Sequence, residues 1–92
     1  MEKINLMYEI TKLFPALEII LPTSLLDALQ NATVSEIPLF HFGLGTFIRN
    51  HFLTPTAKLY DVFVKASIPH KDDMSTMILE SFCEHLKQNK RL

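Results

Sequence analysis

The chain has no tryptophan, only two glycines, Gly43 and Gly45, and a single cysteine, Cys83. So few glycines leave little material for hairpin turns, which argues against a β architecture. One cysteine excludes an intrachain disulfide and fits a reducing compartment, the cytoplasm. No sign of charge dominates: 9 Lys and Arg stand against 10 Asp and Glu, for a formal net charge of -1. That balance gives no electrostatic drive toward nucleic acid, which is not expected as a partner. No apolar run approaches the ~18 residues that a membrane helix needs. The start, Met1-Glu2-Lys3-Ile4-Asn5, lacks the basic and apolar regions of a signal peptide. No membrane partner is expected either.

What is present is ordinary globular material. Apolar residues make up 48% and charged residues 21% of the 92, close to average usage. This length corresponds to one domain, which buries somewhat over ~60% of its unfolded surface. The expected fold is all-α, a small single-domain bundle of four to five short helices over residues 1–92.

Prolines punctuate that bundle. A first helix is expected from Glu2 to Phe14, and Pro15 stops it or opens a turn. Leu17-Glu18-Ile19-Ile20-Leu21 reads either as a helical turn or as a short extended piece. Thr23 or Ser24 caps a helix to about Gln30. Ser35 caps a central helix to about Phe52, with Pro38 in its first turn. Thr54-Pro55 opens a helix to about Ala66. After a loop from Ser67 to Lys71, Asp72 or Asp73 caps the last helix, to about Gln88. Met74, Met77, Ile78, Phe82 and Leu86 of that helix face inward. Lys87 lies in its last turn, with Lys90 and Arg91 beyond; cations there complement the macrodipole.

At roughly 100° per residue the central helix gathers Ile37, Phe40, Leu44, Phe47, Ile48 and Phe52 into one stripe. It is therefore expected to be the spine of the core, with His51 inside the stripe and His41 at its edge. Gly45 and Arg49 fall beside His41, while Thr46 and Asn50 fall on the far side. A glycine in mid-helix costs about 1 kcal/mol relative to alanine, and a common return is close approach by a backbone or ligand. One reading makes Gly45 a notch in which Arg49 recognises a carboxylate or phosphate. The favoured reading is structural: Gly45 admits another helix, and Arg49 pairs with Asp72, Asp73 or a helix C-terminus.

His70, Asp72 and Asp73 form a second constellation. An imidazole and two carboxylates suit a divalent metal or acid/base chemistry. Their spacing matches no strong metal motif, however, and an acidic pair at a helix start is where the macrodipole favours it. Neither H-E-x-x-H nor paired C-x-x-C occurs. No metal or other cofactor is expected, and Cys83, in mid-helix, lacks a setting that would activate it.

Two stretches in order carry a resemblance. His41-Phe42-Gly43-Leu44-Gly45-Thr46-Phe47-Ile48-Arg49-Asn50 is followed by His70-Lys71-Asp72-Asp73-Met74-Ser75 and then Ile78-Leu79. Together they resemble a family of small bacterial proteins and domains of unknown function. Its hallmark is similar to H-F-G-L-G-T-W-I-R-N followed by H-P-D-D-M-S. Phe47 stands where that family has tryptophan, and Lys71 where it has proline. Phe47 keeps an aromatic anchor without an indole donor. The resemblance covers the C-terminal half to two-thirds. It implies that His41, Arg49, Asn50, Asp72 and Asp73 matter together, and it implies no reaction.

A joint structural expectation follows: the helix start at Asp72-Asp73 docks beside residues 43–49 and pairs Arg49 with a carboxylate. The expected function is non-enzymatic contact with another protein, in an adaptor, regulatory or immunity-like role. His41, Gly43, Gly45, Thr46, Arg49, Asn50, His70, Asp72 and Asp73 are the candidate binding residues. The alternatives are a small metal-dependent or acid/base hydrolase using His41, His70, Asp72 and Asp73, and a homo-oligomer with a self-complementary apolar face.

Overall fold

The computed structural model describes residues 5–89, whose regular structure is all helical, with no strand among them. Three short helices open the chain: α1 (Leu6–Thr11), α2 (Phe14–Ile20) and α3 (Thr23–Asn31). The stretch that reads two ways in the sequence is thus a helix, with Pro15 in its first turn. There the missing N–H costs little. The expected start at Glu2 lies outside the described residues. Within them, α1 begins after Asn5, whose side chain accepts from the Tyr8 amide at 3.1 Å.

The central helix is not uniform. A 3₁₀ segment, Val34–Phe40, runs into a π segment, His41–Gly45, and then into α4, Thr46–Phe52. Thr33, not Ser35, is the N-cap, in a capping box with Glu36. The Thr33 amide donates to Glu36 Oε1 at 2.8 Å. Pro38 therefore sits beyond the first turn, where its ring excludes an α-type bond to the carbonyl four residues back. The tighter 3₁₀ winding there accords with that exclusion.

Next comes α5 (Lys58–Lys65), which starts after Ala57 rather than at Thr54-Pro55. It ends in a Schellman motif: Ile68 N–H donates to Phe63 O at 2.9 Å and Ser67 N–H to Val64 O at 3.0 Å. Ser67 takes the left-handed conformation this requires, with φ 67°. The last helix, α6 (Lys71–Gln88), begins with His70 as N-cap, in extended backbone conformation. Asp72 and Asp73 are thus in its first turn rather than at its cap. They complement the macrodipole from there.

The core is organised around α6, not around the central helix. Met74, Ser75, Ile78, Leu79, Phe82, Cys83 and Leu86 are all buried on it. It packs against α1, α3, α4 and the 3₁₀ and π segments. Neighbours on several sides bury the helix, so its apolar stripe is wider than one face. Phe14 lies 5.4 Å from Phe82, centroid to centroid, and Ile10, Leu17, Leu29, Ile48 and Phe63 complete the centre. At the far end, Lys87 Nζ donates to the carbonyls of Gln30 and Ala32, and Gln30 Nε2 donates back to Leu86 O at 3.2 Å. Lys87 thus caps α3 rather than its own helix. Burial pushes the Cys83 thiol up, against the pull of Lys87; a thiol so placed is a poor nucleophile.

Two predictions follow from the helix ends. Ser67→Gly removes the cost of a side chain in left-handed backbone and is expected to stabilise by about 1 kcal/mol. A thermal melt should show a rise of roughly 4–8 °C. The Thr33 amide and hydroxyl hold the Glu36 carboxyl below its ordinary range. Its cap is therefore fully formed above the ordinary carboxylate range and is lost as pH falls through the lowered value. The gap in Tm between wild type and Glu36→Ala should accordingly narrow between pH 7 and about pH 3.

Candidate functional site

Arg49 is where the two sequence motifs meet. Its side chain is 14% exposed. Nη1 donates to Ser75 Oγ at 2.8 Å, and Nη2 donates to Thr46 Oγ1 at 2.8 Å and to the His41 carbonyl at 3.3 Å. Nε lies 3.6 Å from Asp72 Oδ1. Ser75, fully buried, in turn donates a hydrogen bond from Oγ to the Asp72 carbonyl at 3.1 Å. The docking of the α6 start against residues 43–49 is therefore realised, with Asp72 as the carboxylate. Because Asp72 is 72% exposed, the ion pair is a weak part of this network. The hydrogen bonds to buried acceptors are the strong part.

The π segment explains why an arginine is needed. Its wider turn breaks the regular i to i−4 ladder, and Arg49 supplies a donor to the His41 carbonyl in that turn. Gly45 makes room for it. A Cβ built there would stand 3.1 Å from Arg49 Nη1, 3.5 Å from Phe40 O and 3.8 Å from Ser75 Oγ. The notch read from the sequence exists, and the guanidinium itself fills it. Among the described residues no buried side-chain nitrogen or oxygen lacks a partner.

The remaining candidate residues divide. Thr46 is not on the far side but in the Arg49 network, because it stands three residues before Arg49 within α4, a spacing that puts the two side chains side by side. His51 keeps its i+4 place beside Phe47, on which it stacks at 4.2 Å, but it is exposed rather than part of the core. His41 contributes its carbonyl, while its ring meets the edge of Phe42 at 5.0 Å. Asn50, His70 and Asp73 are exposed and stand outside the network. Lys71 lies over the Tyr60 ring at 5.7 Å, tying the α6 start to α5. Among the described residues, no three His, Cys, Asp or Glu side chains are grouped to hold a metal.

Gly43 behaves differently from Gly45. A Cβ there would meet nothing within 4 Å. The residue lines an open groove of about 520 Å³ together with Ile20, Leu25, Leu39, Leu44 and Phe47. A second groove, about 310 Å³, lies beside Pro38, His41, Phe42 and Thr76. Leu39 and Phe42, one turn apart between these grooves, are 79% and 85% exposed. Ile20 is 52% exposed at the rim. Leu39, Phe42 and Ile20 escape a reading that looks only for polar chemistry. The available signal is that Leu39 and Phe42 fall opposite the central stripe at 100° per residue.

Fold and site together define a small all-α domain in which a largely enclosed arginine joins two helices beside an exposed apolar ridge. Residues 9–86 match the family model described as DUF6794, a domain of unknown function, and the chain belongs to that family. That match extends well N-terminal of the two motifs. No curated protein and no solved structure matches the chain. No described helix is long and apolar enough to cross a membrane.

The two glycines and Arg49 give a three-way test by denaturation. Arg49→Ala takes the donor from three part-buried acceptors and is expected to cost about 2–4 kcal/mol. Arg49→Lys should recover only part, since one ammonium does not reproduce a planar fork. Gly45→Ala is expected to cost about 1–2 kcal/mol by crowding the guanidinium, whereas Gly43→Ala should be neutral or stabilise by up to about 1 kcal/mol. Equal losses from the two glycine variants would contradict this assignment.

Proposed function

We propose that this chain is a protein–protein interaction domain of adaptor, regulatory or immunity-like type, contacting its partner through the Leu39–Phe42 ridge and the groove at Gly43. The observation that carries this reading is the groove itself, walled by apolar side chains and open at a glycine whose missing side chain the chain does not use. Exposed apolar surface of this kind marks interaction sites, and π segments recur at functional positions. Arg49 acts here as a positioning residue. Its fork is engaged with Ser75, Thr46 and His41, so recognition of a carboxylate or phosphate is not its role in this reading. Of the residues invoked for a hydrolase, Asp72 is engaged by Arg49. A bacterial cytoplasmic setting belongs to the same reading, supported by the family resemblance and by a lone, buried thiol.

The test is a photo-crosslinking amino acid placed at Phe42, with Val64 as a control position on α5 that is 41% exposed. In cells of the native host, position 42 should give one discrete adduct and position 64 none. Mass spectrometry of the adduct identifies the partner. Only diffuse labelling at both positions would overturn the reading.

A further inference from the structure

Between α1 and α6 lies a groove of about 490 Å³ that the Leu39–Phe42 ridge does not line. From it we infer a second interaction face, whose occupant is a basic amphipathic helix of a partner protein. The inference goes beyond the reading of the ridge and does not depend on it.

The groove is apolar at its floor and acidic along one wall. Phe14 and the exposed Met7 supply apolar surface, and the His85 ring lies 4.6 Å from that of Phe14. Methionine is flexible and polarisable, and recurs at surfaces that adapt to a partner. Glu80 and Glu84 form the acidic wall, both exposed and one turn apart on α6. Carboxylates at that spacing repel each other. Among the described residues, the ion pairs use Glu9, Glu18, Asp61 and Asp72, and neither Glu80 nor Glu84 belongs to one. No Lys or Arg lines the groove. The cations of the flanking elements are turned elsewhere. Lys12 meets Glu9 and the Tyr8 ring, Lys71 the Tyr60 ring, and Lys87 the carbonyls at the end of α3. His85 already faces Glu18, Nε2 to Oε2 at 3.0 Å.

This pattern selects the occupant. Charge complementarity calls for cations, which disfavours an acidic protein, a phosphate backbone or an anionic lipid surface. A bare metal ion lacks ligands, since among the described residues no three His, Cys, Asp or Glu side chains are grouped to hold one. An apolar floor beside two carboxylates one turn apart fits a helix that carries an apolar anchor flanked by Lys or Arg at the same spacing. Because both carboxylates are exposed, the attraction is screened by salt.

The test is fluorescence anisotropy on the full chain with a labelled Leu/Lys amphipathic helix whose lysines lie one turn apart. Two controls accompany it: a Leu/Glu twin, and a Lys/Ala helix of the same charge without large apolar anchors. Wild type should bind the Leu/Lys helix with dissociation at roughly 10–500 μM, and each control at least about tenfold more weakly. Raising salt from about 50 to 500 mM should weaken that binding. Glu80→Gln with Glu84→Gln should lose roughly 3–25-fold. Glu80→Lys with Glu84→Lys should reverse the preference toward the Leu/Glu twin. Asp61→Asn, which removes an exposed carboxylate from α5, should bind like wild type, and circular dichroism confirms each variant's fold. Equal binding of the Leu/Lys helix and either control overturns the inference. So does binding that survives Glu80→Gln with Glu84→Gln, or an equal loss in Asp61→Asn, the mark of net charge alone.

Discussion

The arrangement depends on one guanidinium held among backbone and hydroxyl oxygens. A charged group that is largely enclosed is tolerable only when its hydrogen bonds are made. Arg49 makes them to three acceptors drawn from two elements: Thr46 and His41 on the central helix, and Ser75 on α6. Each contact constrains another. Gly45 must lack a side chain for the fork to enter. The π turn must stay open for the His41 carbonyl to be served, and Ser75 must stay buried to accept Nη1. Those requirements fix the register of the central helix against the first two turns of α6.

A second cation does comparable work at the other end of α6. Lys87 reaches across to the C-terminal carbonyls of α3, and Gln30 answers from α3 to the α6 backbone. Between these two polar clasps α6 packs mainly through apolar side chains, from Met74 and Ile78 to Phe82 and Leu86, with His85 Nε2 3.0 Å from Glu18 Oε2 of α2. Hydrophobic burial supplies most of the driving force but is non-directional. The clasps supply direction, setting which turn of α6 faces which neighbour. That explains why α6, and not the helix with the clearest stripe, is the centre of the molecule.

The sequence disclosed elements better than their winding. Prolines and apolar spacing located most helices within a few residues, although α2 was left open between a helical turn and an extended piece, and the joint occurrence of the two motifs foretold that Arg49 would pair with a carboxylate at the start of α6, which is Asp72. Ser75, as the hydroxyl between them, was not legible. Its contact with Arg49 spans 26 residues of chain, and nothing local marks it. The cap at Thr33 was legible and is easily overlooked: Thr33-x-x-Glu36 is a capping-box pattern, whereas Ser35 merely stands near a proline. Thr46 was misplaced although its spacing of three from Arg49 within α4 puts the two side by side on any α-helix, and His51 holds its expected place beside Phe47 but is exposed. The apolar ridge was hidden for another reason. Attention to histidines, carboxylates and an arginine passes over two large side chains on the wrong side of a stripe.

Gly43 and Gly45, two residues apart, show how interior and exterior are joined. The interior accounts for Gly45, since Arg49 occupies the space beside it. Nothing among the described residues comes within 4 Å of a Cβ at Gly43, whose missing side chain leaves open room at the groove. Both glycines lie in the same π turn, which Arg49 braces from inside through the His41 carbonyl. The groove wall and the Phe42 projection are thus shaped by a residue that does not line the groove. A motif with the look of a polar binding site is better understood as the brace of an apolar one. On this view its polar residues hold a backbone in place, and what is presented outward is the shape of that backbone.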